Sequence, residues 1–329
     1  MTGLYVGYPG GPKPGEVFAA IDMGSSKVTC LIARREARDP GKFTLLGGGR
    51  QQAIGFEAGA ITDMDALSTA ISTAVDEAES QAGERIDRVI LGVTGLSLQC
   101  LWIEASHPMK GRSVTKRDIR RVNAAALNQA KQADYELLTA HPVTYQLDEQ
   151  TGIEDPEGQY AQTLSVRMSF VRAPEAFLLN LVECLGRAHL EIAKFVPTPI
   201  ASAMGSLIDD ELTNGAICID CGAGMTSAAV FLNGAPAWFS ILPIGGLHVT
   251  RDIAQGIGTT FAAAERLKTI HGHVNNKAAG KGDLIECPRL GPDGHLQSAQ
   301  MRKGDLATII APRIEEIFEL VAERLQAGA

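Results

Sequence analysis

Two segments of this sequence read almost alike: AAIDMGSSKVTCLIA at 19–33 and AICIDCGAGMTSAAVFL at 216–232. Each is a short apolar run that ends in Asp, passes through a turn of Gly and small residues, and resumes as strand-like sequence. The two aspartates, Asp22 and Asp220, lie 198 positions apart. Such a strand–turn–strand gathers several backbone N–H groups at one point, a nest suited to phosphate oxygens. Glycine there lets the backbone approach closely, because a Cβ would obstruct it. A carboxylate at the strand end can hold Mg²⁺, directly or through water. One copy is weak evidence, since D-x-G-x-[GS] also describes ordinary hairpins. Two copies in matching contexts imply two related domains that grip a nucleotide triphosphate from both sides. Neither copy is a Walker A loop or a dinucleotide-binding fingerprint, because neither opens a helix after a strand with those glycine spacings.

The rest of the chain supports an α/β organisation. Its 329 residues suit about two domains. Met64, Leu67, Ile71, Ala74, Val75 and Ala78 follow a helical period over about 63–81, and RVILGV at 88–93 reads as a buried strand. Thr115, with Asp118 three residues on, opens an Ala-rich helix to about Gln132. Leu164, Val166, Met168 and Phe170 alternate as in a half-buried strand. Residues 97–173 therefore read as a small inserted α+β domain. Pro174 suits the first turn of a helix whose apolar face is Leu178, Leu181, Val182 and Leu185. A strand, a Pro-flanked link at about 195–207 and the second Asp-Gly turn follow. The chain closes with a helix, a polar loop at 272–283 and a long helix from about Asp305 to Gln326, kinked at Pro312. That last helix carries Ile314, Ile317, Phe318 and Val321 as an apolar face.

Composition narrows the function. Net charge is −8 and no basic stripe or aromatic-interleaved Arg/Lys run appears, which argues against nucleic acid as a partner. No apolar stretch reaches the roughly 18 residues of a membrane span. The first 15 residues read as a disordered tail. Cys218 and Cys221 form one C-x-x-C, but strand residues three apart face opposite ways, so a metal or redox role is disfavoured. His271 and His273 lack a third ligand nearby, and Asp209, Asp210 and Glu211 read as a solvated loop. Ser25 and Ser26 have no His partner, so nucleophilic catalysis is disfavoured.

The doubled turn resembles the phosphate loops of the actin/Hsp70/sugar-kinase superfamily, and within it most closely the FtsA family of bacterial cell-division actin homologues. AAIDMGSSKV and CIDCGAGMTS carry the two loops. ELLTAHPVTYQLDEQTGIEDPEGQ is similar to the family's inserted domain, LPIGGLHVTRDIAQGIGTTFAAAERLKTIHG to the block that opens its fourth subdomain, and APRIEEIFELVAERL to the helix after it. The resemblance covers about 16–326. It implies an actin-like ATPase fold of two ribonuclease-H-like domains. In it, 16–96 and 174–208 form subdomain 1A, 97–173 the inserted 1C, 209–245 and 313–329 an incomplete 2A, and 246–312 subdomain 2B.

The same resemblance implies ATP with Mg²⁺ as ligands. Gly24, Ser25, Ser26 and Lys27 would contact the β- and γ-phosphates, and Asp22 and Asp220 would hold Mg²⁺ through water. Gly222, Ala223, Gly224, Met225 and Thr226 would form the second loop, and Gly245 and Gly246 would approach the nucleotide backbone-first. Glu265 and Lys268 would touch ribose and adenine; read without the resemblance, they are a solvated ion pair. Two departures stand out. Ala223 and Ser227 replace residues that are more often Gly and Asp. The link between the halves offers Thr198, Pro199 and Ser202 where actin-like hydrolases place Glu or Gln, which implies slow or absent hydrolysis and no assignable catalytic residue. The family's adenosine loop and its membrane-anchoring C-terminal amphipathic helix do not appear, so the sequence reads as truncated, and this chain is expected to bind ATP weakly and not to bind membrane by itself. The resemblance further implies self-association into filaments, binding of the FtsZ C-terminal tail through about 246–302, and contacts with other division proteins through 97–173. It places the protein in the cytoplasm, peripheral on the inner membrane at the division site. Sugar-kinase, Hsp70-like and pilus-assembly readings remain as alternatives on the same fold.

Overall fold

The structure is a computed structural model that describes residues 12–39, 41–275, 282–293 and 295–328. It divides into two compact bodies. The first takes in the described residues to Asp220 together with Ser227–Ile241; the second takes in Cys221–Thr226 and the described residues from Leu242 on.

The first body opens with β1 (Val17–Met23), β2 (Lys27–Arg35) and β3 (Phe43–Gln52), followed by the small β4 (Phe56–Glu57) and β5 (Ala60–Ile61). Residues 12–15 do not continue the tail expected for 1–15: the Gly15 N–H donates to Arg35 O at 2.8 Å and anchors the chain to the end of β2. Residues 1–11 lie outside the described residues. Helix α1 (Met64–Ala82) is capped by the Asp63 carboxylate, which accepts the Ala66 N–H at 3.0 Å. It ends where Gly83 takes a positive φ of 67°. Its predicted face is inside, with Leu67, Ile71, Ala74 and Ala78 all buried. β6 (Arg88–Val93) then lies parallel to β1.

The expected insert follows as β7 (Gln99–Ser113), α2 (Lys116–Ala130), β8 (Tyr135–Leu147), β9 (Gln150–Ile153) and β10 (Tyr160–Pro174). Its sheet has the order β7-β10-β8-β9. Leu164, Val166, Met168 and Phe170 of the central strand are buried as their alternation predicts, in one cluster with Val122, Ala126 and Ala130 of α2. Asp118 closes the start of α2, accepting from Thr115 N at 3.1 Å and Thr115 Oγ1 at 2.6 Å, as the Thr/Asp spacing predicts. Arg112 adds a two-pronged salt bridge to the same carboxylate at 2.6 and 2.7 Å. β8 carries no clean periodicity in the sequence. Pro142 interrupts its pattern and its register against β10 slips twice. Pro142 is tolerated because β9 pairs only with the far end of β8, at Tyr145 and Leu147. Lys110, Arg112, Lys116, Arg117, Arg120 and Arg121 are exposed at the end of β7 and along α2, where Arg112 pairs with Asp118 and Lys116 with Glu157.

Pro174 is the residue before the next helix rather than inside its first turn, and α3 runs Glu175–Arg187. β11 (Glu191–Pro197) completes a sheet of order β11-β6-β1-β2-β3, in which β11, β6 and β1 are parallel. The stretch read as a Pro-flanked link is helical. α4 spans Thr198–Ser206 with Pro199 at its start, where a missing N–H costs nothing. The acidic cluster is not a loop but the first turn of α5 (Asp209–Asn214). There Glu211 accepts the Ile208 N–H at 3.0 Å, and the helix dipole favours acids. β12 (Ala216–Cys221), β13 (Thr226–Leu232) and β14 (Ala235–Leu242) form a three-stranded sheet in sequence order. Asn233 and Gly234 join the last two with φ of 52° and 74°, an Asn-Gly hairpin turn.

The second body is built on α6 (Gly246–Ile257), α7 (Phe261–His271) and α8 (Lys303–Gly328). Between α7 and α8 run β15 (Leu284–Glu286), β16 (Arg289–Leu290), β17 (Leu296–Gln297) and β18 (Gln300–Arg302), paired β15 with β18 and β16 with β17. Val249, Ile253, Leu267, Leu306 and Ile310 share its core. α8 passes through Pro312 as one helix, and Arg313 ties it to α6 by two bonds to Asp252 at 2.6 and 3.0 Å. Ile317 and Val321 of its apolar face are buried, whereas Phe318 is half exposed. Of the polar loop expected at 272–283, residues 276–281 lie outside the described residues.

Candidate functional site

The two similar segments fold into the same local device. β1 and β2 are joined by the two-residue loop Ser25-Ser26, closed by a hydrogen bond from Gly24 N–H to Lys27 O at 2.9 Å. β12 and β13 are joined by Ala223-Gly224, closed by a bond from Gly222 N–H to Met225 O, also at 2.9 Å. In each case the aspartate stands two residues before the closing glycine. The N–H groups of Ser25, Ser26, Ala223 and Gly224 make no backbone hydrogen bond among the described residues. These are the donors a phosphate group requires.

In the first body, Asp22 and Asp220 are brought together although the sequence separates them widely. Burial and, next, the negative charge of Asp220 push the Asp22 pKa up; Lys27 opposes both. Ser202, on α4, donates from Oγ to Asp220 Oδ2 at 2.7 Å and fixes that carboxylate. Two hydroxyls nearby are buried without any hydrogen-bond partner among the described residues: Ser25 Oγ in the first loop and Thr198 Oγ1 at the start of α4. Each such orphan costs about 1–3 kcal/mol. Gly92 of β6 pairs in register with Asp22, and a Cβ built on it would stand 3.2 Å from Asp22 Oδ1. The site is thus at the carboxyl ends of the parallel strands, where ligands of open α/β sheets bind. Paired carboxylates and orphan hydroxyls suit a hydrated divalent cation, so these residues fit Mg²⁺ held through water. Among the described residues, no group of three or more His, Cys, Asp or Glu side chains is placed to hold a metal by itself, and His271 and His273 form no such group.

In the second body, Gly245 and Gly246 brace the second loop. A Cβ at Gly245 would fall 2.5 Å from Gly222 O and 2.7 Å from Ala223 O. The N–H groups of Gly246 and Leu247 donate to those two carbonyls at 3.0 and 2.8 Å, and the Gly245 N–H donates to His248 Nδ1 at 3.1 Å. The start of α6 therefore satisfies its own orphan donors on the loop. Thr226 Oγ1, fully buried, donates to Ile244 O at 2.8 Å and holds the loop from behind. Met225 and Gly224 are buried beside it.

Glu265 and Lys268 are more than a solvated ion pair. They meet at 2.8 Å, Thr250 Oγ1 donates to Glu265 Oε2 at 2.5 Å, and Lys268 Nζ donates to Gly246 O at 3.0 Å. Desolvation raises the Glu265 pKa, but the bonds from Lys268 and Thr250 outweigh it and hold the carboxyl below its ordinary range. Lys268 thereby joins α7 to the start of α6. It also borders a cavity of about 400 Å³ lined by Gly246, Val249, Gly272, Ile310 and Ile314. A larger cavity of about 470 Å³ lies in the first body, between the starts of β1 and β6, away from the loops.

The sequence reading missed Gly92 altogether and noticed Thr198 and Ser202 only for what they lack. The available signal was two hydroxyls four residues apart immediately after a strand, which one helical turn places on one face.

With this geometry in place, comparison with known proteins is informative. Residues 217–327 match the family described as Cell division protein FtsA, and residues 95–172 match the SHS2 domain inserted in FtsA. Cell division protein FtsA of Agrobacterium fabrum is 37% identical over 322 residues, 95% of this chain and 73% of that protein. Among solved structures, the PilM–PilN type IV pilus biogenesis complex aligns with a TM-score of 0.62 at 16% identity, over 95% of this chain and 77% of the other. MreB5 of Spiroplasma citri bound to ADP aligns with a TM-score of 0.54 at 14% identity, over 94% and 79%.

Proposed function

The chain belongs to the FtsA family of cell division proteins and has the actin-like ATPase fold, and on that premise we propose that it binds ATP with Mg²⁺ as an assembling division scaffold. The single observation that carries the nucleotide reading is the repeated hairpin. Two loops of identical closure each offer unpaired amides, and each is preceded by an aspartate. On this reading the amides of Ser25, Ser26, Ala223 and Gly224 receive phosphate oxygens, with Gly24, Lys27, Gly222, Met225 and Thr226 shaping the loops. Asp22 and Asp220 hold the hydrated cation, which neutralises phosphate charge when bound. The apolar cavity beside Lys268 accepts the base, with Glu265 toward the ribose. Gly245 and Gly246 act by fixing the second loop. Each site residue here is a proposal with that role.

The wider function follows from the family. We assign 16–96 with 174–208, 97–173, 209–245 with 313–329, and 246–312 as the four subdomains. The protein polymerises, tethers the FtsZ ring to the cytoplasmic face of the inner membrane through the FtsZ tail at about 246–302, and recruits later division proteins through 97–173. No helix among the described residues is long and apolar enough to cross a membrane. Any hydrolysis is slow, because α4 supplies hydroxyls and no carboxylate to the site. The pilus and MreB structures share the fold at low identity, which by itself assigns no function.

Titration of a fluorescent ATP analogue with and without Mg²⁺ tests the reading. Saturable binding strengthened by Mg²⁺ is expected. No binding at millimolar nucleotide would overturn it.

A further inference from the structure

The inserted sheet leaves one long strand edge free. Among the described residues β7 pairs with β10 alone, and no backbone bond from another segment reaches its far side. In an antiparallel pair every second residue turns its N–H and C=O away from the partner strand, so that side offers a row of open donors and acceptors. The free stretch is Trp102–His107. It is bounded at one end by Cys100, whose Sγ lies 4.0 Å from Ala237 O of β14. At the other end stand Pro108 and the register shift opposite Ala161 and Thr163. Between these limits the ladder to β10 is regular, from Trp102 against Ser169 to His107 against Leu164.

Helix α2 brings cations to this edge. Val122, Ala126 and Ala130 hold it on one face of the sheet, and contacts on either side fix which flank points where. Asn123 Nδ2 donates to the Tyr145 hydroxyl of β8 at 3.1 Å, on the inner side. Arg121 Nη1 meets His107 Nε2 of β7 at 3.3 Å, on the edge side. Arg117, one helical turn before Arg121, shares the edge-side flank. Arg117, Arg121 and Lys110 are exposed and form no salt bridge among the described residues, whereas Arg112 and Lys116 are occupied by Asp118 and Glu157. The other face of the same stretch is apolar at Trp102, which is 36% exposed. The Arg167 guanidinium stacks 5.1 Å from its ring centre and bonds Glu104 at 2.6 Å, which holds the indole in place.

We propose that the free edge of β7 takes up an extended segment of a partner protein as an added strand, with acidic side chains on the α2 side and apolar ones on the Trp102 side. Successive strand residues face opposite ways, so the pattern recognised is alternating acid and apolar. Main-chain bonds to β7 supply affinity, and the side chains flanking the edge select the sequence. Arg117, Arg121 and Lys110 favour acids at the His107 end, in a chain whose net charge is otherwise −8. The inference goes beyond the recruiting role given to 97–173 and stands without it, because it concerns one strand edge and the peptide chemistry that edge accepts.

Trp102 supplies the readout. The sequence has two tryptophans, Trp102 and Trp238, so a Trp238→Phe chain reports on Trp102 alone. A short peptide of alternating Glu and Val is titrated into it at low and high salt. The same titration is made with an alternating Lys and Val peptide, with a backbone N-methylated Glu and Val peptide, and with a single-stranded DNA oligonucleotide. Saturable change with the Glu and Val peptide is expected, weakened by salt, and none with the other three. Arg117→Glu with Arg121→Glu should weaken binding about 10-fold with the unfolding midpoint unchanged. Lys110→Glu, on the strand itself, should weaken it in the same direction. Equal binding of the N-methylated peptide or of DNA would show a merely charged surface and overturn the added strand. No binding at millimolar peptide, or unchanged affinity in the charge variants, would overturn it too and leave the recruiting role of 97–173 standing. Dimers in sedimentation that the peptide dissolves would assign the edge to a second copy of this chain and overturn the partner proposed here.

Discussion

Gly24 and Gly222 donate the same hydrogen bond: each N–H meets the carbonyl three residues on at 2.9 Å, although the two glycines are 198 positions apart. Equal closure gives both hairpins a two-residue loop even though Ser25-Ser26 and Ala223-Gly224 share no side chain. The backbone is what a phosphate reads, so sequence divergence within the loops costs the device little.

Replacing Asp220 by Ala removes one of the paired carboxylates and the charge that pushes up the Asp22 pKa. The Mg²⁺-dependent part of ATP affinity should fall by about 10-fold or more, with affinity in EDTA retained or improved, since a negative charge near phosphate is lost. Calorimetric titration in both buffers checks it; equal loss in both would point to misfolding instead.

Gly245→Ala places a methyl group 2.5 Å from Gly222 O and 2.7 Å from Ala223 O. Both are backbone atoms that cannot step aside, so the loop or the start of α6 must shift. Overpacking of this kind costs about 1–3 kcal/mol. A lowered unfolding midpoint and weakened nucleotide binding together are expected, read by denaturant titration and the fluorescent analogue.

Asp118 is buried and held by Arg112, Thr115 Oγ1 and the Thr115 N–H, and these bonds drive its pKa well below the ordinary carboxylate range. A depressed folded-state pKa means that the charged form stabilises the fold. That contribution is complete above the unfolded value of about 3.9, declines as pH falls below it, and is gone once pH passes the folded value. Asp118→Ala should lower stability by about 2 kcal/mol at pH 7. The difference from the unmodified chain should shrink in acid, measured by denaturant titration at pH 7 and pH 3.

The Cys30 thiol is pushed up to about 12, chiefly by burial and then by Glu79, and that of Cys100 to about 11 by burial. Only the thiolate attacks a thiol reagent. At pH 8 both should stay unlabelled in the folded protein and react on unfolding, as peptide mass mapping would show. Fast native labelling of Cys30 would mean that β2 opens readily.

The FtsZ-tail assignment gives a binding prediction. Disordered tails lose affinity to their own ordering, so a labelled tail peptide should bind at micromolar strength, roughly −8 kcal/mol. A scrambled peptide should not. Equal binding of both would reduce the assignment to nonspecific adhesion to exposed apolar residues such as Phe318.

What the sequence determined by itself was local and periodic. The doubled Asp–Gly turns, the helical stripe of α1, the alternation along β10 and the Thr115/Asp118 cap each depend on residues within a few positions of one another, so their physics is legible without the fold. The α4 and α5 helices escaped because Pro199 and three consecutive acids read as breakers until their places at helix starts are known. β8 escaped because Pro142 and two register slips hide its alternation. Tertiary structure decided the rest. Only the parallel pairing of β1, β6 and β11 sets Gly92 and Thr198 beside Asp22, and only the packing of α4 brings Ser202 to Asp220. Those neighbours are 70 and 176 residues from Asp22 and 18 from Asp220, and no period in a sequence encodes a contact made across a sheet.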